Sequence, residues 1–122
     1  MRLIIAGSRT LTFNISGMQD IIDNLIPLDI DITEIVCGGA DGIDTSGGHW
    51  AEFQTIKVMN FPANWIEHGK AAGPIRNAQM ADYADALLLI WDGQSRGSSN
   101  MKQCMIKKGK PIYEVILSRA KN

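Results

Sequence analysis

Arg2-Leu3-Ile4-Ile5-Ala6-Gly7-Ser8-Arg9-Thr10 is the stretch that decides the fold. After Arg2, the segment 2–6 is apolar without alternation, as a strand covered on both faces should be. The turn Gly7-Ser8-Arg9-Thr10 ends it. A helix follows over Ile15–Leu25, where Ile15, Met18, Ile22, Leu25 and Ile26 recur at helical spacing. Pro27 stops that helix. A doubly buried strand that passes through a glycine turn into an amphipathic helix is the opening unit of a parallel α/β sheet.

The alternation continues along the chain. Residues 32–37 read as a second strand, closed by Gly38-Gly39. A second helix runs from about residue 41 or 42 to 53. Its Gly47 and Gly48 are poor helix formers and predict close approach to the sheet or to another backbone. Residues 56–60 read as a third strand, and 61–72 as a long irregular loop of the kind that often carries function. Gly73-Pro74 opens a third helix with proline at its first position. Ala86–Trp91 is the fourth strand, and residues 92–99 form a glycine and serine loop. The fourth helix reaches about Lys108, with Gly109 as its cap and Pro111 beyond. Ile112–Ile116 is the fifth strand, followed by a polar tail. The expected fold is a Rossmann-like three-layer α/β/α domain over 1–122. Its five-stranded parallel sheet has order 3-2-1-4-5, with two helices on each face.

Composition narrows the function. The chain has 122 residues, 45% apolar and 20% charged, with a net charge of −1. That profile fits a globular protein with a sizeable core. It does not fit the basic face of a nucleic-acid binder. The dense basic cluster Lys102, Lys107, Lys108 and Lys110 reads as a solvated helix end whose cations complement the dipole. No apolar run approaches the length of a membrane span, and the start carries no secretion signal, so a cytoplasmic location is expected. Cys37 and Cys104 form no C-x-x-C pair, and His49 and His68 have no ligand spacing. Neither a disulfide nor a metal site is expected.

In an open parallel sheet, ligands bind beyond the carboxyl ends of the strands, where the winding reverses. That point lies between strands one and four. Its loops are Gly7-Ser8-Arg9-Thr10 and the run from Asp92 and Gly93 through Ser95, Arg96, Gly97, Ser98 and Ser99. Gly38-Gly39-Ala40-Asp41-Gly42 lies beside them. Glycine admits a ligand to backbone N–H groups, helix N-termini favour anions, and arginine supplies a bidentate fork. Gly73-Pro74-Ile75-Arg76-Asn77 adds Arg76 and Asn77 in what reads as a first helical turn. A cation there opposes the dipole, which suggests an anionic partner: a ligand phosphate, or a carboxylate of the protein. Asp41 is a candidate N-cap; alternatively Asp41 or Asp44 contacts ribose hydroxyls. Trp65 or Trp91 could stack on a base, with core packing the competing role for Trp91. Replacing Arg9 or Arg76 by alanine is expected to weaken ligand binding and leave folding intact. No G-x-G-x-x-G, G-K-[ST] or G-x-S-x-G is present, which disfavours NAD-dependent hydride transfer, a P-loop NTPase and an α/β-hydrolase.

Four segments in order carry a family resemblance: Ala6-Gly7-Ser8-Arg9; Cys37-Gly38-Gly39-Ala40-Asp41-Gly42-Ile43-Asp44; Gly73-Pro74-Ile75-Arg76-Asn77-Ala78-Gln79-Met80; and Trp91-Asp92-Gly93-Gln94-Ser95-Arg96-Gly97-Ser98. Together they resemble the SLOG superfamily of LOG and Smf/DprA-like domains, most nearly its small YspA/YpsA-related branch, common in bacteria and phages. The resemblance implies a homodimer or higher homo-oligomer that binds a nucleotide or an ADP-ribose-like or NAD-derived ligand and requires no cofactor. It implies a sensor or, in a phage, a protein that sponges a host immune signal in the host cytoplasm. LOG-like relatives instead cleave the N-glycosidic bond of nucleoside monophosphates, with an arginine at the position of Arg76 and a glutamate in P-G-G-x-G-T-x-x-E. Here the P-G-G is missing and Met101 stands where the glutamate would be. Methionine can neither accept a proton nor stabilise an oxocarbenium ion, so hydrolysis would need Asp41, Asp44 or Asp92 as a substitute. DNA binding, as in Smf/DprA-like relatives, is the third reading.

Overall fold

The computed structural model describes residues 1–117. Five strands form one sheet: β1 (Arg2–Gly7), β2 (Glu34–Cys37), β3 (Lys57–Asn60), β4 (Ala86–Trp91) and β5 (Ile112–Ile116). Every neighbouring pair is parallel and the order is β3-β2-β1-β4-β5, as the sequence predicts. The polar tail lies, from residue 118, outside the described residues.

Successive side chains of a strand point to opposite faces, and the core divides accordingly. Leu3, Ile5, Leu88 and Ile90 pack on one side with Met18 and Ile22 of α1 (Ile15–Leu25) and Trp50 of α2 (Ile43–Phe53). Ile4, Ala6, Leu87 and Leu89 pack on the other with Met80 of α4 (Ala72–Tyr83) and Met101 and Met105 of α5 (Arg96–Lys108). Both faces are covered, so these strands need no polar alternation. Gly47 of α2 lets that helix approach the sheet: a Cβ there would lie 2.7 Å from Ile5 Cγ2. Gly48 faces open space and has no such role. No helix among the described residues is long and apolar enough to cross a membrane.

Helix boundaries differ from the sequence reading in four places. The stretch 61–72 is not irregular: it holds α3 (Trp65–His68), then a 3₁₀ turn (Gly69–Ala71) leading into α4. Asn64 caps α3 by accepting from the Glu67 amide at 3.0 Å, a local hydrogen bond that a short aperiodic segment hides. Because α4 begins at Ala72, Pro74 is its third residue rather than its first, and Arg76 lies beyond the first turn. The expected clash between Arg76 and the helix dipole is therefore small. Asp41 is not an N-cap, since Gly42 holds that position in α2 without a side-chain bond. Finally, α5 starts at Arg96, capped by Ser95, so Gly97, Ser98 and Ser99 form its first turn and not a loop.

Candidate functional site

The carboxyl ends of β1, β2 and β4 open onto a cleft of two lobes. The larger, about 410 Å³, is lined by Gly38, Gly39, Ala40, Asp41 and by Pro62, Ala63 and Trp65 from the segment after β3. The smaller, about 210 Å³, is lined by Gly7, Asp44, Asn77, Ser95, Gly97, Ser98 and Met101. Arg9, Ala40 and Arg76 border both lobes. Together the lobes offer room for a small molecule.

Each loop is built by identifiable bonds. Ser8 is buried; its amide donates to Ile90 O at 3.1 Å, and its hydroxyl accepts from the Asp92 amide at 3.1 Å. Its carbonyl accepts from the Ile43 amide at 3.3 Å. Ser8 thus ties together the loops after β1 and β4 and the start of α2. Asp92 accepts from the amides of Gln94 at 2.9 Å and Ser95 at 3.1 Å, which shapes the turn before α5. Ser8, Thr10, Asp92, Gly93, Arg96 and Ser99 border neither lobe, Ser8 because it is buried in the loop junction, so the three expected loops contribute only part of their residues.

Arg76 crosses the cleft. Its Nη1 donates to Gly38 O at 2.6 Å and to Phe61 O at 3.4 Å, and its Nε donates to Asn77 Oδ1 at 3.0 Å. Asn77 Nδ2 then donates to Asn100 Oδ1 at 3.0 Å and to Gly97 O at 3.3 Å. The chain of bonds links the β2 loop to the first turns of α5. Asn100 and Asn60 have no signal in the sequence, whereas Pro62 and Ala63 of the larger lobe fall in the 61–72 stretch that the sequence marks as a candidate functional loop. Trp91 is core: its indole N–H donates to Glu114 at 2.7 Å and it is 6% exposed. Trp65 is 53% exposed and lines the larger lobe.

The electrostatics centre on Asp44. Its Oδ2 accepts from the amides of Gly38 at 3.0 Å and Ala40 at 3.4 Å. Burial pushes its carboxyl up to about 6, against the pull of those amides and of Arg76 and Arg9. Burial also lowers Arg76, while Asp44 holds its charge. Arg9 is exposed and makes no hydrogen bond or ion pair among the described residues. Cys37 lies at the base of this loop, where burial and Asp44 push its thiol up to about 12. It is not a ready nucleophile. No cluster of His, Cys, Asp and Glu among the described residues could hold a metal ion.

No protein-family model matches the chain, and no solved structure matches it. It is 30% identical over 117 residues to the Gene 61 protein of Mycobacterium phage D29, a match spanning 91% of this chain and 93% of the relative. The chain belongs to the family of that phage protein. In this member, the basic cluster at the end of α5 is largely engaged. Lys102 pairs with Glu114 at 2.9 Å, Lys108 pairs with Asp82, and Lys110 donates to the carbonyls of Ala81 and Ala84, each at 2.7 Å.

The elevated Asp44 carboxyl makes a pH prediction. Its ordinary value is 3.8 and its folded value about 6, so folding favours the protonated form. The associated stability is full below about pH 4 and is lost as pH rises through about 6. The difference is worth about 3 kcal/mol. Melting temperatures of the wild type and Asp44→Asn between pH 4 and 7.5 isolate it from other carboxylates. The variant is expected to gain on the wild type as pH rises; parallel profiles would contradict the assignment.

Proposed function

We propose that this protein binds a phosphate-bearing, nucleotide-derived ligand of the ADP-ribose or NAD-derived kind, as a sensor or a sequestering protein. The observation that carries the reading is the position of Arg9 and Arg76 between two lobes at the switch point of the sheet. One lobe has an exposed tryptophan; the other has the first turn of a 13-residue helix. Two arginines between an aromatic wall and a helix N-terminus suit a molecule with a heterocycle at one end and phosphate at the other. Resemblance to the SLOG superfamily supports the same chemistry and a homo-oligomeric assembly. The relative is a phage protein, which fits the phage setting of the sequestering reading.

Thermal shift tests this reading with AMP, ADP, NAD and ADP-ribose, each near 1 mM. A ligand at a hundred times its Kd stabilises the fold by about 2.7 kcal/mol, a rise in melting temperature on the order of 10 °C for a domain of this size. A shift with at least one member is expected; flat curves with all four would refute binding of this class.

A second reading, N-glycosidic hydrolysis, draws on Asp44, a buried carboxyl held near neutrality at the smaller lobe. As a general base it would take a proton from water while the water oxygen bonds to C1′; the C1′–N bond breaks with its electron pair leaving on the base, whose nitrogen then takes up a proton from Asp44 or solvent. Incubation with nucleoside monophosphates would yield free base and ribose 5-phosphate, and Asp44→Asn would stop it. Substrate recovered intact by chromatography leaves the binder reading in place and removes this one.

A further inference from the structure

We infer that Trp65 is the stacking platform for the ligand's heterocyclic base, and that it makes the cleft selective for nucleotides over simple sugar phosphates; this rests on the proposed function above. The three tryptophans of the chain differ in a way that points to it. Trp50 is 3% exposed and its indole N–H donates to Gln19 at 2.8 Å; Trp91 is buried and bonded to Glu114. Trp65 remains half in solvent, and its indole N–H has no hydrogen bond among the described residues. Exposing so large an apolar ring wastes the burial that usually justifies a tryptophan.

Its position is nevertheless held. Trp65 is the first residue of α3, fixed there by the Asn64 cap. The far edge of the ring rests against α4 where Gly73 has no side chain: a Cβ at Gly73 would sit 3.6 Å from Trp65 Cη2. The ring is backed on one side by a helix and borders the larger lobe on another. Other walls of that lobe are backbone-rich, at Gly38, Gly39 and Ala40, and leave room for a flat group. Asp41 and Asn60 set polar groups beside the same space, suited to the edge of a base. Arg9 and Arg76 stand where the two lobes meet, where the sugar phosphate of a stacked nucleotide would lead.

The test compares AMP and ADP-ribose with ribose 5-phosphate and inorganic pyrophosphate, reading tryptophan fluorescence and melting temperature. Trp50 and Trp91 also emit, so the contact is read as the part of the quenching that Trp65→Phe lacks. The nucleotides are expected to quench it; ribose 5-phosphate and pyrophosphate are expected to stabilise the protein without quenching. Trp65→Ala should lose on the order of tenfold to a hundredfold in nucleotide affinity and keep its affinity for ribose 5-phosphate. Trp65→Phe should retain most nucleotide affinity, which separates stacking from a folding defect. Unchanged nucleotide affinity in Trp65→Ala, or stabilisation by nucleotides without quenching, would overturn the stacking role and leave the phosphate site standing. Stabilisation by none of the four probes would overturn the site itself and the inference with it.

Discussion

Arg76→Ala is expected to cut ligand-induced stabilisation by about half or more and also to lower the melting temperature of the free protein. The sequence suggests a ligand contact that can be removed without harm to the fold. The structure gives Arg76 a second role, because it satisfies Gly38 O, reaches Phe61 O, orients Asn77 and faces the buried Asp44. Removing it leaves a part-buried carbonyl unpaired, at a cost of about 1–3 kcal/mol, and strips Asp44 of its main counter-cation. A charge-assisted bond to phosphate is worth about 1.5–3 kcal/mol, so binding should weaken at least tenfold on that account alone. Arg9→Ala is the control. Arg9 is exposed and holds no other part of the protein by a hydrogen bond or ion pair, so its loss should weaken binding and leave the free melting temperature nearly unchanged. Calorimetric titration and thermal melts of both variants check this. Equal melting temperatures for the two would contradict the structural role of Arg76.

The second large effect is on folding. Gly42 has φ 78° and ψ −124°, a conformation that side-chain-bearing residues rarely adopt. A Cβ there would run into the Ser8 carbonyl oxygen and lie 2.6 Å from the Arg9 carbonyl carbon. Both obstacles are backbone, in the loop whose Ser8 ties three elements together, so neither can turn away. Gly42→Ala is expected to cost about 4 kcal/mol or more, a large part of the stability of an ordinary domain. Gly39→Ala separates the causes. Gly39 also has φ 78°, but a Cβ there meets nothing within 4 Å. Its substitution should cost only the backbone strain, about 1–2 kcal/mol. Urea denaturation of both variants reads the difference; comparable midpoints would mean that the close contact with the β1 loop is absent in solution.

Strand order and the switch point were legible because each strand is an apolar run between turn residues, and parallel connections allow few topologies. Arg9, Gly38, Gly39, Ala40 and Asp44 could be placed at the cleft for the same reason: they follow closely on strands whose ends are plain. The helix starts were less visible. Ser95 caps α5 through the Ser98 amide, yet in a run of glycines and serines several residues could cap equally well. Trp65-Ile66-Glu67-His68 is too short for any period to show. The tether from Arg76 to Gly38 spans 38 positions, and local sequence does not encode where a long side chain reaches. Asn100 is similar: its part in the cleft depends on Asn77 lying across from it.

The most direct measurement is an amide NMR titration of the protein with ADP-ribose and with AMP, up to about 1 mM. Binding in the cleft predicts saturable shifts for Arg9, Gly39, Ala40, Arg76 and Gly97, with residues 28–32, at the opposite (amino-terminal) edge of the sheet, unmoved. A spectrum unchanged by both ligands, or shifts confined to that opposite edge, would contradict it.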